Sequence, residues 1–361
     1  MVPDRSNVRV GIIGLGNIGQ YHAERLLDHG VTLVGGVDIA ESARDRFERR
    51  YGVEAMDQCD SLLDRVDAVV VTTPNEYHEP YAVAALEQDV HVLIEKPLAD
   101  SLESAERIAR AAADSSAICM VGFNNRFSNT IQYLKHRIAS GDFGQLSHVE
   151  ANYVRRRGVP GRGTWFTHRK SAGGGAVIDL GVHAIDLALY LLDFPSLTEI
   201  SGVTRSEFGR REDYVYLEMW GRDAGPSTFD VEDSASAFVR TVDDQTVSLE
   251  IAWATNRPPT HEFVVHGTDA AARFDLLDAD LTIHTATTGG TNAFEDTSVR
   301  TRDVDTHQEE QAAFLDSIAA GSDDASNVDE ALTVQRVVDA IYRSSASGSA
   351  VAVDERDESD R

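Results

Sequence analysis

This chain of 361 residues is short of lysine, of cysteine and of long apolar runs. Its only lysines are Lys96, Lys135 and Lys170, so arginine supplies nearly all of the 33 basic residues set against 60 acidic ones. The net charge of −27 argues against nucleic-acid partners and anionic membrane surfaces, because both are polyanions and would repel it. A surface rich in carboxylates and poor in lysine stays hydrated in concentrated salt, which points to a halophilic source. Cys59 and Cys119 are too few for a disulfide framework and stand at no metal-ligand spacing, so no metal is expected. No stretch approaches the roughly 18 apolar residues of a membrane span. The start, MVPDRSNVRV, has no signal-peptide core. A cytoplasmic protein is the expectation, with a strongly acidic tail over 351–361.

What is present is a regular alternation. Apolar runs over 8–13, 31–38, 68–73, 90–95 and 118–123 are separated by helical patterns near 17–29, 41–50, 79–88 and 102–113. Strands and helices alternating at this spacing imply parallel pairing with right-handed crossovers, and so an α/β doubly wound sheet. After about residue 125 the texture changes. A helix near 130–139 and a strand over 145–156 lead to a glycine-rich loop and a helix over 176–192. Shorter strands separated by polar turns then suggest an antiparallel sheet with one covered face. Helices over 307–320 and 329–344 are expected to close this second part, and the Thr-, Asp- and Gly-rich stretch 286–305 reads as a surface loop. The predicted division is a dinucleotide-binding domain over 1–125 and a substrate-binding α/β domain over 126–350.

The first chemical signal is Gly14-Leu15-Gly16-Asn17-Ile18-Gly19, placed after a strand and before a helix. Gly14 permits the tight turn, Gly16 lets backbone approach a pyrophosphate, and Gly19 lets helix and strand pack closely. The N–H groups opening the helix, at Asn17 and Ile18, offer partial positive charge to phosphates. Asp38 ends the next strand 19 residues after Gly19, a spacing suited to a carboxylate on a ribose 2′-hydroxyl. That carboxylate would repel a 2′-phosphate, which favours NAD; NADP stays open through Arg44 or Arg46. Thr73, Pro74, Asn75 and His78 close the third strand at the same edge, where they can line the nicotinamide site or simply form a proline turn. Lys96 ends the strand VHVLIEK at the edge where open α/β sheets bind ligands. Its ammonium is either a proton donor and acceptor or a solvated strand end.

The second signal is GGGAVIDLGVHAID, residues 173–186. Asp179 and His183 stand four apart on a predicted helix and share a face. Asp186 is placed to orient the imidazole. Histidine is suited to take a hydroxyl proton as hydride leaves. Buried structural bonds, or a metal site from Asp179, His183 and Asp186, are the other readings of this cluster. The three glycines would let a substrate approach the first helical turn.

GLGNIG, TTPNEYH, Glu95-Lys96-Pro97, GFNNRF over 122–127 and GGGAVIDLGVHAIDL together resemble the Gfo/Idh/MocA oxidoreductases, nearly end to end. The resemblance implies an N-terminal Rossmann domain and a C-terminal α/β domain with a large, mostly antiparallel sheet, often used in oligomer contacts. It implies Lys96 as the catalytic lysine, His183 as acid/base and Asp179 as ligand of the substrate hydroxyl. It also places Glu95 and Asn124 with the cofactor-binding residues, and suggests a cis Lys96–Pro97 bond.

The expected activity is hydride transfer between a secondary alcohol of a sugar or cyclitol and NAD, in a homo-oligomer (dimer or tetramer). Within the same family the alternatives are a glycoside 3-dehydrogenase and a sugar–sugar oxidoreductase with tightly held cofactor. An alternative of another class is a non-catalytic NAD(H) sensor. For the substrate, aromatic and arginine side chains gather over 153–166, and Arg156 and Trp165 are the chosen contacts.

Overall fold

A computed structural model of the chain describes residues 5, 7–217, 221–277 and 280–353. The acidic stretch 354–361 lies outside the described residues. The chain divides into two compact units. One runs to Asn124 and takes in Asp305–Gln335; the other holds Asn125–Val304 and the chain from Arg336.

In the first unit β1 (Arg9–Ile13), β2 (Thr32–Val37), β3 (Glu54–Met56), β4 (Ala68–Val71), β5 (His91–Glu95) and β6 (Cys119–Gly122) form one parallel sheet. Their order is β3-β2-β1-β4-β5-β6. β4 reads AVVV with every residue buried, as a strand covered on both faces should. The connecting helices are α1 (Asn17–Asp28), α2 (Glu41–Tyr51), α3 (Asp60–Leu63), α4 (His78–Leu86) and α5 (Leu102–Ala113). Strand order reverses between β1 and β4, so the turn after β1 and the loop after β4 meet at the switch point where such sheets take ligands. β3 escaped the sequence reading: it has three residues, none fully buried.

Residues 305–335 belong to this unit, whereas the sequence pattern put the helix over 307–320 in the second domain. Helix Thr306–Ala320 is capped by Asp305, whose Oδ1 accepts from His307 and Gln308 N–H at 3.2 Å each. Asn327 then uses its side-chain amide as a strand would. Its Oδ1 accepts from Val121 N–H at 2.7 Å and its Nδ2 donates to the Val121 carbonyl at 3.1 Å, satisfying the open edge of β6.

The second unit begins with α6 (Asn129–Ala139), β7 (Leu146–Val154) and the short α7 (Arg169–Ala172). A single π turn, Val177–Gly181, runs into α8 (Val182–Leu191). Then follow β8 (Leu197–Arg205), β9 (Ser234–Thr241), β10 (Thr246–Ala252), β11 (Glu262–Gly267), β12 (Ala270–Asp275), β13 (Leu281–Thr287), β14 (Ala293–Val299) and β15 (Val351–Ala352). Together with β7 they make a nine-stranded sheet in the order β14-β13-β12-β11-β7-β10-β9-β8-β15. Its pairs are antiparallel except β7 with β10. α8 packs on one face, against β7 and β10. The stretch 286–305, expected as a loop, instead holds the β13–β14 hairpin; β14 is almost wholly exposed, so no apolar alternation marks it. The stretch Arg169–Leu191 is long and apolar enough to cross a membrane, yet 83% of its apolar window is buried inside the protein.

Candidate active site

The turn after β1 needs glycine. Gly14 has φ +96, and a Cβ there would lie 2.8 Å from the Thr72 backbone carbon. A Cβ on Gly19 would stand 1.9 Å from the Gly14 carbonyl oxygen, so helix and strand touch here. Gly16 differs: a Cβ on it meets nothing within 4 Å, and Gly16 and Asn17 are exposed at the crest of the turn beside half-buried Ile18. α1 starts there with no side-chain cap and no acidic residue in its first turn, leaving its N–H groups and dipole to an anion. Asp38 closes the turn. Its carboxylate accepts from Leu15 N–H and Ala40 N–H, each at 2.8 Å, and has acceptor capacity left for a hydroxyl. Arg44, which could have served a 2′-phosphate, donates instead to the carbonyls of Asp38 (2.8 Å) and Ile39 (3.1 Å). These residues fit an NAD pyrophosphate and ribose.

After β4, Thr72 Oγ1 donates to the Gly14 carbonyl at 2.7 Å, tying the two switch-point turns together. Thr73 Oγ1 is buried and has no hydrogen-bond partner among the described residues, a hydroxyl with its capacity unspent. Pro74 opens a 3₁₀ turn through Asn75, which is buried. His78 is enclosed in the frame: it is 1% exposed, with Nδ1 2.8 Å from the Pro97 carbonyl and Nε2 2.9 Å from the Thr73 carbonyl. Burial holds its pKa below the usual value, and a neutral ring donates to one of these carbonyls only. It braces the Thr73 loop against the Pro97 loop.

β5 delivers Glu95 and half-buried Lys96, followed by a cis Lys96–Pro97 peptide. Glu95 Oε1 accepts from His22 Nε2 at 2.6 Å, and Gln311 Nε2 donates to His22 Nδ1 at 2.7 Å. That pattern assigns the ring proton to Nε2. Burial opposes ionisation of Glu95, but the His22 hydrogen bond, with the neighbouring His22, His307 and Lys96, outweighs it and lowers its pKa to about 2. Glu95 is therefore an anion beside Lys96. Asn124 donates to Thr306 Oγ1 at 2.8 Å and lies 3.4 Å from His307 Nδ1.

In the second unit Asp179 sits in the π turn and His183 in the first turn of α8, both half-buried while Val177, Ile178, Leu180, Gly181 and Val182 are buried. Single π turns concentrate at functional sites, and this one carries Asp179. Trp253, fully buried just beyond β10, donates Nε1–H to Asp179 Oδ2 at 2.8 Å. The His183 ring stacks at 5.9 Å on Tyr153, which stacks at 3.9 Å on His261. Burial, and then the Arg155 charge, bring the His261 pKa down to about 4, so this ring is neutral near pH 7.

Two expectations change. Asp186 was expected to orient His183, but it is 1% exposed and both its oxygens accept from Arg126 Nε, at 3.1 and 3.0 Å, with a further bond from Arg126 Nη2. Nor is the triple glycine open for substrate. A Cβ on Gly174 would fall 1.9 Å from Tyr342 Oη, and one on Gly175 1.9 Å from the Glu232 carbonyl oxygen. Glu232 itself is buried, and its Oε1 accepts from Gly175 N–H (2.9 Å), Val177 N–H (3.0 Å) and Tyr342 Oη (2.9 Å). Burial pushes its carboxyl upward. The glycines exist so that this clasp can close on the start of the helix. Arg156 is exposed at the end of β7, and Trp165 stacks on Phe166 at 3.8 Å. Sequence reasoning missed Trp253 and Glu232, and it counted Arg155 in the cluster over 153–166 but chose Arg156 and Trp165 from it. Among the described residues no group of three or more His, Cys, Asp or Glu is disposed to hold a metal ion.

Comparison with known proteins finds two family models that match the chain. Residues 8–123 match the model described as "Oxidoreductase family, NAD-binding Rossmann fold", and residues 131–273 match the GFO/IDH/MocA C-terminal domain. A sequence of Amycolatopsis mediterranei, assigned to the oxidoreductase subunit of UDP-kanosamine synthase, is 33% identical over 275 residues, 75% of each chain. The D-glucoside 3-dehydrogenase of Escherichia coli is 27% identical over 351 residues, 96% of this chain and 97% of its own. In fold, the chain superposes on levoglucosan dehydrogenase in complex with NADH with a TM-score of 0.83 at 23% identity, covering 96% and 99% of the two chains. The chain belongs to the Gfo/Idh/MocA family of NAD-binding oxidoreductases.

Proposed function

We propose that the chain is an NAD-dependent dehydrogenase that oxidises a secondary alcohol of a sugar or cyclitol. The observation that carries this reading is the polar pair presented by the π turn and α8: Asp179, held by an indole N–H, and His183, set against an aromatic ring. NAD, when bound, supplies the acceptor for hydride. Gly14, Gly16 and Gly19 shape the turn for its pyrophosphate, with Asn17 and Ile18 at the helix start. Asp38 takes the ribose hydroxyls, and Arg44 has its Nη1 engaged by backbone carbonyls. Thr73, Pro74, Asn75, Glu95 and Asn124 serve the nicotinamide end, with His78 bracing them. Asp179 holds the substrate hydroxyl, His183 takes its proton, and the Lys96 ammonium steadies the developing alkoxide charge. One well-placed donor of that kind is worth about 3–4 kcal/mol.

The relationship to a scyllo-inositol 2-dehydrogenase (NAD(+)) of Bacillus subtilis, 31% identical over 235 residues, supports the sugar and cyclitol class. The near full-length relationship to D-glucoside 3-dehydrogenase supports a second reading, oxidation at C3 of a glycosyl unit. Both use the same residues. A halophilic source is supported by 60 acidic against 33 basic residues, and a cytoplasmic setting by free Cys59 and Cys119. Assembly into a dimer or tetramer through the open face of the large sheet is supported by Val203 and Phe238, 52% and 37% exposed on neighbouring strands.

The test is Lys96→Ala in an NADH-absorbance assay against aldoses, inositols and glycosides in high salt. Turnover should fall by roughly 10²–10³, while NAD affinity stays within about twofold. Equal loss of both removes Lys96 from the chemistry.

A further inference from the structure

Four arginines follow Tyr153 within ten residues, and the structure separates them by what each one touches. Arg162 is buried and committed: its Nε and Nη2 meet the two Asp223 oxygens at 3.0 and 3.1 Å, and its Nη1 donates to the Arg211 carbonyl at 2.6 Å. Arg157 is committed too, to the Thr255 carbonyl and to Asn256 Oδ1 at 2.6 Å, with its guanidinium 4.2 Å over the Phe208 ring. Arg155 and Arg156 have no carboxylate partner among the described residues; Arg155 makes only a 3.5 Å contact to the Gly158 carbonyl. The Arg155 guanidinium is left with that one long hydrogen bond.

The two unpaired arginines point differently. Alternation along β7 puts residue 155 on the side of Tyr153 and residue 156 on the other. The structure agrees, since Arg156 is exposed and Arg155 is half-buried. The Arg155 backbone N–H donates to the Ala252 carbonyl at 2.8 Å, carrying the β7–β10 pairing on to this residue; Tyr153, two residues before it, stacks on His183 and on His261, whose backbone N–H meets Asp275 Oδ2 at 3.3 Å. The stem of Arg155 folds over Gly158, where a Cβ would come within 2.7 Å of its Cδ. Tyr153, stacked on the proton-accepting histidine, and Arg155 therefore lie on one side of the same extended segment. Lysine would offer a mobile point charge here; arginine offers a planar fork matched to carboxylate and phosphate oxygens.

We propose that Arg155 reads an anionic substituent, so that the substrate is a sugar or cyclitol bearing a carboxylate or a phosphate ester away from the oxidised carbon. This rests on the dehydrogenase reading above and adds the charge of the substrate to it. The reaction itself keeps its balance: one C–H hydride leaves to NAD, one hydroxyl proton leaves to His183, and the carbinol becomes a carbonyl while the anionic group is untouched.

The experiment is calorimetric titration of the NADH-loaded protein with matched ligands: glucose, glucuronate and glucose 6-phosphate, then myo-inositol and an inositol monophosphate. The expected result is binding of one anionic member roughly ten- to hundredfold tighter than its neutral partner, with the preference shrinking as KCl is raised. Which arm wins separates carboxylate from phosphate. Arg155→Met, which keeps the stem over Gly158, should bring the preference to within about threefold, and Arg155→Lys should restore part of it. Neutral ligands binding as tightly as their anionic partners in every pair would overturn the proposal and leave the sugar dehydrogenase reading standing. A preference that survives Arg155→Met, or that Arg156→Ala abolishes instead, would also overturn it. Absence of binding by every ligand, together with absence of turnover, would overturn both.

Discussion

Trp253 donates its indole N–H to Asp179 Oδ2 across 2.8 Å, from a position 74 residues further along the chain. The donor is fully buried and the acceptor is half-exposed at the π turn. One carboxylate oxygen is therefore fixed by the core. This is how a side chain in a locally irregular turn acquires a defined direction.

Removing that hydrogen bond alone should misdirect Asp179 without unfolding the protein. In Trp253→Phe an aromatic ring remains while the donor and part of the buried indole volume are lost, and a hydrogen bond to a charged group is worth about 1.5–3 kcal/mol. The expected outcome is a roughly ten- to hundredfold fall in kcat/KM, with NADH affinity unchanged in a fluorescence titration. Steady-state kinetics with kcat/KM equal to that of the parent would show that the indole is only packing.

Glu232 should matter through the helix start rather than through contact with substrate. Its Oε1 gathers two backbone N–H groups and the Tyr342 hydroxyl, and leaving buried donors unpaired costs about 1–3 kcal/mol. Glu232→Ala should lower the melting temperature by several degrees, since about 1 kcal/mol moves a domain of this size by a few degrees. Glu232→Gln keeps an acceptor in place and should recover most of that loss. Gly174→Ala, which would drive a methyl into Tyr342, should resemble Glu232→Ala in calorimetry. A Glu232→Ala protein as stable as the parent would remove the clasp from the account.

The parts of this fold that the sequence made legible are those whose cause lies within a few residues. The turn at Gly14–Gly19, Asp38 at a strand end, Lys96 after an apolar run and the four-residue step from Asp179 to His183 are all local patterns. What stayed hidden depends on partners far along the chain: Glu232 bonds Gly175 from 57 residues away, Tyr342 reaches Glu232 across 110, and Arg126 takes Asp186 across 60. Asp186 looked free for His183 because nothing near it in sequence hinted at Arg126. The triple glycine looked like a substrate approach for the same reason, its real neighbours being Tyr342 and Glu232. The β13–β14 hairpin was missed on other grounds, since an exposed edge strand reading AFEDTSV carries no period-2 apolar signal.

The Glu95–His22 pair sets an acid limit to stability. The folded pKa of Glu95 is about 2, below its ordinary 4.5. Its ionised form is thus favoured by folding, and the unfolded chain binds the extra proton as acid is added. The contribution is complete above about pH 4.5 and is lost progressively as pH falls toward 2. At pH 7, Glu95→Gln should cost about 2–3 kcal/mol in denaturant unfolding, and the difference from the parent should shrink as the measurement moves from pH 5 to pH 3. A difference that stays constant over that range would mean that Glu95 is not held as an anion.

The Arg126–Asp186 pair offers the sharpest separation of a structural ion from a catalytic one. Both side chains are buried, and Arg126 also lies over the Tyr190 ring at 4.9 Å and the Phe194 ring at 5.1 Å. Breaking a buried pair from one side strands a charge and costs about 3–5 kcal/mol. Asp186→Leu and Arg126→Leu should each lose that much, seen as a large fall in the denaturant midpoint. The double variant, which removes both charges, should recover much of it, because a packed apolar pair of similar volume is often neutral. Kinetics of the double variant then decide the role of Asp186. With Asp186 serving Arg126 and not the imidazole, the acid limb of the kcat/KM profile should keep its midpoint. A midpoint displaced by a full pH unit would return Asp186 to His183.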